Sequence, residues 1–232
     1  MKPEPSQSDP TSRDKLMNSA EHLFADRGYD GVSVRDIASD AGVNSALVGY
    51  YFGGKEGLLA EVYTRRCAVL RDERSRLLAA YSAGGRRPKL EEVLDAFITP
   101  SLENFQNSDG SRSFPHIRAI LSAENSSLLE KLVAENFDES SKIFVDALGK
   151  CLPLLSREDV LWRFHFLLGT LYYTATGPHR IKMLSRGRCD PSDMIATKSE
   201  LIPFLVAGFK APPRSRERKQ RRTARSNGAV KG

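Results

Sequence analysis

The residues whose types and spacing are most distinctive lie between positions 33 and 55. Ser45, Ala46, Gly49 and Tyr50 recur at i, i+1, i+4 and i+5, so on a helix they share one face, and three of the four are small. A helix with so low a face can lie deep in a DNA major groove, where the Ala46 methyl can touch thymine methyls. That face offers none of the bidentate side chains that read guanine or adenine well. Arg35, ten residues before Ser45 and in the first turn of the preceding short helix, is therefore the expected reader of guanine. The chemistry is groove reading rather than bond breaking. The chain has no Walker or Rossmann glycine pattern, no nucleophile elbow and no His-Glu metal motif, so no enzyme activity is expected. The paired acids Glu91-Glu92 and Glu158-Asp159 sit at predicted helix starts, where the helix dipole accounts for them. His116 and His165 have no partner at ligand spacing, so neither a metal nor any other cofactor is expected.

Two short helices must position these residues. The first is predicted to open at Ser33, whose hydroxyl can cap it with Asp36 three residues on, and to end at Gly42. The second is predicted from a cap at Asn44 through Phe52. Val34, Ile37 and Ala38 form the inner stripe of one, and Leu47, Val48 and Tyr51 that of the other. Ala38 is small enough for close packing, and Gly42 allows a left-handed turn. Ahead of them, Leu16, Ala20, Leu23 and Phe24 mark a helix over 12–27 that stops at Gly28. Behind them a long helix is predicted over 55–83, about 43 Å at 1.5 Å per residue. Further helices are predicted over 89–106, 114–122, 126–150, 157–176 (capped by Ser156 with Asp159) and 192–209 (kinked at Pro203). Strand signals are nearly absent. The fold class is all-α with about nine helices: a DNA-binding unit over 12–54 and a ligand-binding and dimerisation unit over 55–209, with disorder expected in 1–11 and 210–232.

Composition agrees with a soluble globular protein. Of 232 residues, 40% are hydrophobic and 28% charged, and no apolar run approaches the roughly 18 residues of a membrane span, so no membrane partner is expected. The first residues lack the apolar stretch of a secretory signal, and the three cysteines (Cys67, Cys151, Cys189) are odd in number and far apart. Both suit a cytoplasmic, reducing compartment. The net charge is +6, but residues 210–232 hold nine Lys/Arg and one acid, leaving −2 for everything before them. A sequence-nonspecific chromosome-binding protein using that tail is the rival to a sequence-specific reader.

The run GYDGVSVRDIASDAGVNSALVGYYFGGKEGLL (28–59) resembles the TetR/AcrR transcriptional regulators. The resemblance rests on Gly28-Tyr29, Ser33, Ile37-Ala38, Ala41-Gly42-Val43, Tyr51-Phe52, Lys55-Glu56 and Leu58-Leu59. It implies a homodimer that represses transcription from a near-palindromic double-stranded operator, and a C-terminal domain whose small-molecule effector releases the DNA. It also implies that Ser33, Tyr51 and Lys55 contact phosphates, a task their hydroxyl, phenol and ammonium groups suit. One departure is Gly49, where many relatives have tyrosine.

The helix 157–176 is apolar on nearly every side, so it needs covering on two faces. With 192–209 it occupies the place of the family's four-helix dimer interface, and Leu171 and Leu201 are expected in that seam. The phrase PLLSREDVLWRFHFLLGTLYYTATGP is similar to PsrA-like regulators, some of which respond to fatty acids or their thioesters. The apolar supply at Phe97, Phe105, Ile120, Phe137, Phe144, Phe166 and Tyr173 favours a lipophilic effector, with Arg118, His165 or Tyr173 meeting its polar end.

Overall fold

Apolar spacing and caps act together to set the helices. In a computed structural model that describes residues 11–103 and 126–213, nine α-helices and no strands are found among the described residues. They are α1 (Ser12–Arg27), α2 (Val34–Asp40), α3 (Ala46–Phe52), α4 (Lys55–Tyr81), α5 (Leu90–Glu103), α6 (Ser126–Cys151), α7 (Arg157–Thr176), α8 (Pro178–Leu184) and α9 (Met194–Lys210). The all-α expectation holds. The predicted helix over 114–122 lies outside the described residues. No helix among the described residues is long and apolar enough to cross a membrane.

Capping boxes start α1, α2 and α7 at Thr11, Ser33 and Ser156, each reciprocated by an aspartate three residues on. The α3 start differs from expectation. Ser45 precedes Ala46 as the flanking residue without a side-chain cap, while Asn44 Oδ1 accepts the Ala46 N–H at 2.8 Å. Asn44 thus closes a turn two residues long ahead of the helix. Helix α8 was not anticipated, because Gly177-Pro178 reads as a stop. Proline at the first helical position lacks only an N–H that would be unbonded there anyway, so it starts a helix equally well.

Two apolar cores lie along α4, which is about 40 Å long. The first gathers Leu16, Leu23, Phe24, Ile37, Val48, Leu58, Val62 and Tyr63 from α1–α4, with Leu132 of α6. The second gathers Leu94, Phe97, Ile98, Phe144, Leu148, Phe164, Leu167, Leu171, Leu201 and Phe209 from α5, α6, α7 and α9. Two buried charges tie α4 to its neighbours. Glu21 of α1 accepts hydrogen bonds from Arg65 (2.8 Å) and Arg66 of α4. Arg74 of α4 donates to the Phe97 carbonyl (3.0 Å) and the Ser101 hydroxyl (2.8 Å) of α5, with its guanidinium 3.6 Å from the Phe97 ring centroid.

A third polar tie joins α4, α5 and α9. Asp95 accepts from Tyr81 (2.5 Å) and Thr99 (2.9 Å) and pairs with Lys198 (2.5 Å). Burial pushes the Asp95 carboxyl up, but the bonds from Lys198, Tyr81 and Thr99 outweigh it and hold it below the usual carboxylate range; the bond to Asp95 pushes the Tyr81 phenol up to about 12. A carboxyl depressed on folding contributes stability above its unfolded pKa, and that contribution is lost as pH falls through the folded value. Asp95→Asn should therefore lower the melting temperature at pH 7 and narrow its gap from the parent below about pH 4. Equal loss at both pH values, by thermal melts, would show that Asp95 is not ionised in this network.

Candidate nucleic-acid interface and sensor core

The predicted DNA-facing residues sit on α2, α3 and the first turn of α4. On α3, Ala46, Gly49 and Tyr50 are exposed together, with Ser45 just ahead, while Val48 and Phe52 turn into the first core. Tyr50 stands 80% exposed and meets Tyr51 edge to face at 5.1 Å, so the two phenols form one outward rim; the expected place of Tyr51 on the inner stripe is corrected, because Phe52, four residues on from Val48, takes it. No atom stands within 4 Å of a Cβ built on Gly49, so this face is open. Gly42, at φ 65°, makes the left-handed turn after α2.

The expected phosphate contacts differ in how free they are. Both donors of Ser33 already point at Asp36: its hydroxyl donates to the carboxylate at 2.6 Å and its N–H at 2.8 Å. That hydroxyl bond holds the Asp36 carboxyl below the usual range, so Ser33 must leave it to reach a phosphate. Lys55 Nζ lies 4.0 Å from the Tyr29 ring centroid, which fixes the ammonium beside the start of α4. Arg35 is exposed and makes no ion pair among the described residues. Between 12 and 55 the basic residues Arg13, Lys15, Arg27, Arg35 and Lys55 are outnumbered by the acids Asp14, Glu21, Asp26, Asp30, Asp36 and Asp40. Each exposed cation here therefore counts for much in any affinity for DNA.

The expected ligand residues divide. Phe97 and Phe144 come together, with ring centroids 5.0 Å apart, and Phe164 joins them at 5.1 Å from Phe97. His165, Phe166 and Tyr173 do not join them. Phe166 and Tyr173 are 60% and 59% exposed, and His165 is exposed beside Trp162 on the same outer face of α7. The helix turns residues 165, 166 and 173 away from the inward set Val160, Phe164, Leu167 and Leu171, so the structure does not bring them together with Phe97 and Phe144. Leu171 and Leu201 are corrected in the opposite sense. They are 6% and 8% exposed and fill the second core of the chain itself, while Trp162, Phe166, Tyr173 and Phe204 face outward. Phe105, Arg118 and Ile120 lie outside the described residues, as does the Phe137 side chain. The buried charges Glu21 and Arg74 were missed. For Arg74 the signal was present, since it continues the apolar series Leu59, Tyr63, Cys67 and Leu70 along α4.

Comparisons with known proteins divide the chain at a similar place. Residues 16–62 match the family described as "Bacterial regulatory proteins, tetR family", and residues 95–208 match "Tetracyclin repressor-like, C-terminal domain". The HTH-type transcriptional repressor KstR2 of Mycolicibacterium smegmatis is 30% identical over 173 residues, covering 68% of this chain and 76% of that protein. The chain belongs to the TetR family. It is a DNA-binding transcriptional regulator of the helix-turn-helix type. Another relative matches over a shorter stretch: the probable HTH-type transcriptional regulator YttP of Bacillus subtilis is 49% identical over 49 residues, 21% of this chain and 24% of YttP. Among solved TetR-like structures, the transcriptional regulator FadR from Bacillus subtilis in complex with stearoyl-CoA aligns with a TM-score of 0.61 at 19% identity, covering 84% of this chain and 97% of FadR. At that identity the likeness shows the shared fold.

Proposed function

We propose that this regulator is an operator-specific repressor that binds DNA as a homodimer and is released by a small lipophilic effector. The observation that carries it is the open face of α3, with Ser45, Ala46, Gly49 and Tyr50 outward and an apolar face holding the helix to α1 and α4. In this reading α3 enters the major groove of one half-site, Arg35 reads a guanine, and Tyr51 and Lys55 bind flanking phosphates. Dimerisation supplies the second half-site, about 34–36 Å away, through the outward aromatics of α7 and α9. The Phe97–Phe144–Phe164 cluster favours an apolar effector, as does the stearoyl-CoA held by the FadR relative in fold. The basic segment 211–232 leaves α9 where Lys210 pairs with Glu91 (2.9 Å), beside the start of α5 and so at the far end of α4 from the reading head. Its 22 residues could span about 70–80 Å, enough to return to the DNA as a sequence-independent contact.

Two substitutions separate the kinds of contact. Lys55→Ala should weaken binding on every sequence and reduce the salt-dependence slope by roughly one unit per contact, two per dimer. Arg35→Ala should relax preference at one position in each half-site, by about 1–3 kcal/mol per base pair. Selection of fragments from random DNA by parent and variants measures both. Parallel losses on all sequences for the two variants would reduce Arg35 to a phosphate contact, and no enriched site for the parent would overturn operator specificity.

A further inference from the structure

A cleft of about 200 Å³ lies where the last turn of α4, the 82–89 connection and the last turns of α6 meet; none of the rings of Phe97, Phe144 and Phe164 lines it, though Leu78, Ala147 and Cys151 of its wall pack against their core. Leu78, Ile143 and Ala147 give it apolar walls, and Ile143 is left 48% exposed there. Arg87 and Lys150 also line it, and both are exposed. The neighbouring acids are already committed. Glu92 accepts from Arg86 (2.8 Å) and the Lys89 N–H (2.7 Å), and Glu91 pairs with Lys210 (2.9 Å). Among the described residues neither Arg87 nor Lys150 makes an ion pair, so two cations line one apolar cleft; burial and then the nearby Glu91 and Glu92 push the Cys151 thiol up, and both carboxylates are already paired elsewhere.

We propose that this cleft binds a small organic anion with a short apolar tail, its carboxylate meeting Arg87 and Lys150 and its tail lying against Leu78, Ile143 and Ala147. The volume sits below the range of drug-sized sites, which limits the tail to a short one. The C-terminal ends of α4 and α6 both point their negative dipole ends at this region, which disfavours an anion. The two side-chain cations are what offsets that, so binding should depend on them steeply. Leu78 belongs to the last turns of α4, the helix whose first turn abuts α3. An occupant would bear on that helix and so bias the placement of the reading head; this consequence rests on the proposed operator binding, whereas occupancy of the cleft does not.

Cys151 lines the same cleft, its thiol donating to the Pro88 carbonyl at 3.3 Å, and so reports occupancy directly. Cys67 is buried in the first core and Cys189 is exposed, so the full-length Cys189→Ser protein leaves Cys151 as the accessible thiol. Its alkylation by iodoacetamide, followed by intact mass, should slow at least fivefold in saturating octanoate and less than twofold in equal octanol. Arg87→Gln with Lys150→Gln should remove the octanoate effect, each protein's rate with octanoate being compared with its own rate without it because the thiolate fraction of Cys151 responds to nearby charge, and should leave the circular dichroism unchanged. No protection by octanoate, equal protection by octanol, or full protection in the double variant would each overturn the site. Protection with no change in operator affinity would keep the site and overturn its leverage on α4, while DNA binding that fails in every condition would instead count against the operator reading.

Discussion

Phe166→Glu combined with Phe204→Glu is expected to leave the protein folded but monomeric, and to abolish detectable operator binding. Both side chains are more than half exposed in the single chain, on the outer faces of α7 and α9, so the monomer loses little packing when they change. In the proposed four-helix seam they become buried, together with Trp162 and Tyr173, and each glutamate would then be a charge without a partner. An unpaired buried charge costs about 3–5 kcal/mol. Even one such cost weakens association more than a hundredfold at about 1.4 kcal/mol per factor of ten. The two-fold related copies double the number of charges. Leu171→Glu is the informative contrast: at 6% exposure within its own core it should unfold the chain rather than split a dimer. Sedimentation with circular dichroism separates these outcomes. A folded Phe166→Glu/Phe204→Glu protein that still sediments as a dimer at low micromolar concentration would place the interface elsewhere.

That contrast marks where the sequence was legible and where it was not. The caps at Ser33 and Ser156, the left-handed turn at Gly42 and the outward set on α3 could all be read from local chemistry, because each depends on residues within one or two turns. Helix α7 could not be oriented this way. With apolar residues on nearly every side it has little preference of its own, so Leu171 and Phe166 look alike in sequence. Which one turns inward depends on Phe97, Phe144 and Leu201, contributed by three other helices. Likewise nothing local told that Phe166, His165 and Tyr173 would leave the aromatic cluster that holds Phe97 and Phe144. The double role of proline hid α8, since Pro178 can follow one helix and begin another. Glu21 is a different case. Its burial is set by Arg65 and Arg66, more than forty residues away, which no spacing rule connects to it.

Two glycines near the reading head should respond in opposite ways, and Gly57→Ala carries the larger effect. A Cβ at Gly57 would lie 1.9 Å from the Phe52 carbonyl oxygen and 3.1 Å from its carbon. Both are backbone atoms at the end of α3, so no side-chain rotation relieves the clash; α3 must move away from α4 by more than an ångström. Overpacking of this kind costs about 1–3 kcal/mol, within a stability of roughly 5–15 kcal/mol, so the protein should stay folded with a lowered melting temperature. The displaced element is the one proposed to enter the groove, and operator affinity should fall at least tenfold with the dimer intact. Gly49→Ala meets nothing within 4 Å and sits in the helix interior, so it should stabilise by about 0.5–1 kcal/mol. Its new methyl would stand on the α3 face between Tyr50 and Ser45, so any change in DNA binding should appear as altered sequence preference rather than uniform loss. Melting curves paired with binding to a panel of half-site variants distinguish the two. Parent-like affinity in Gly57→Ala would mean that the Phe52–Gly57 approach does not set where α3 meets DNA, and an unchanged sequence preference in Gly49→Ala would take this face of α3 out of the groove.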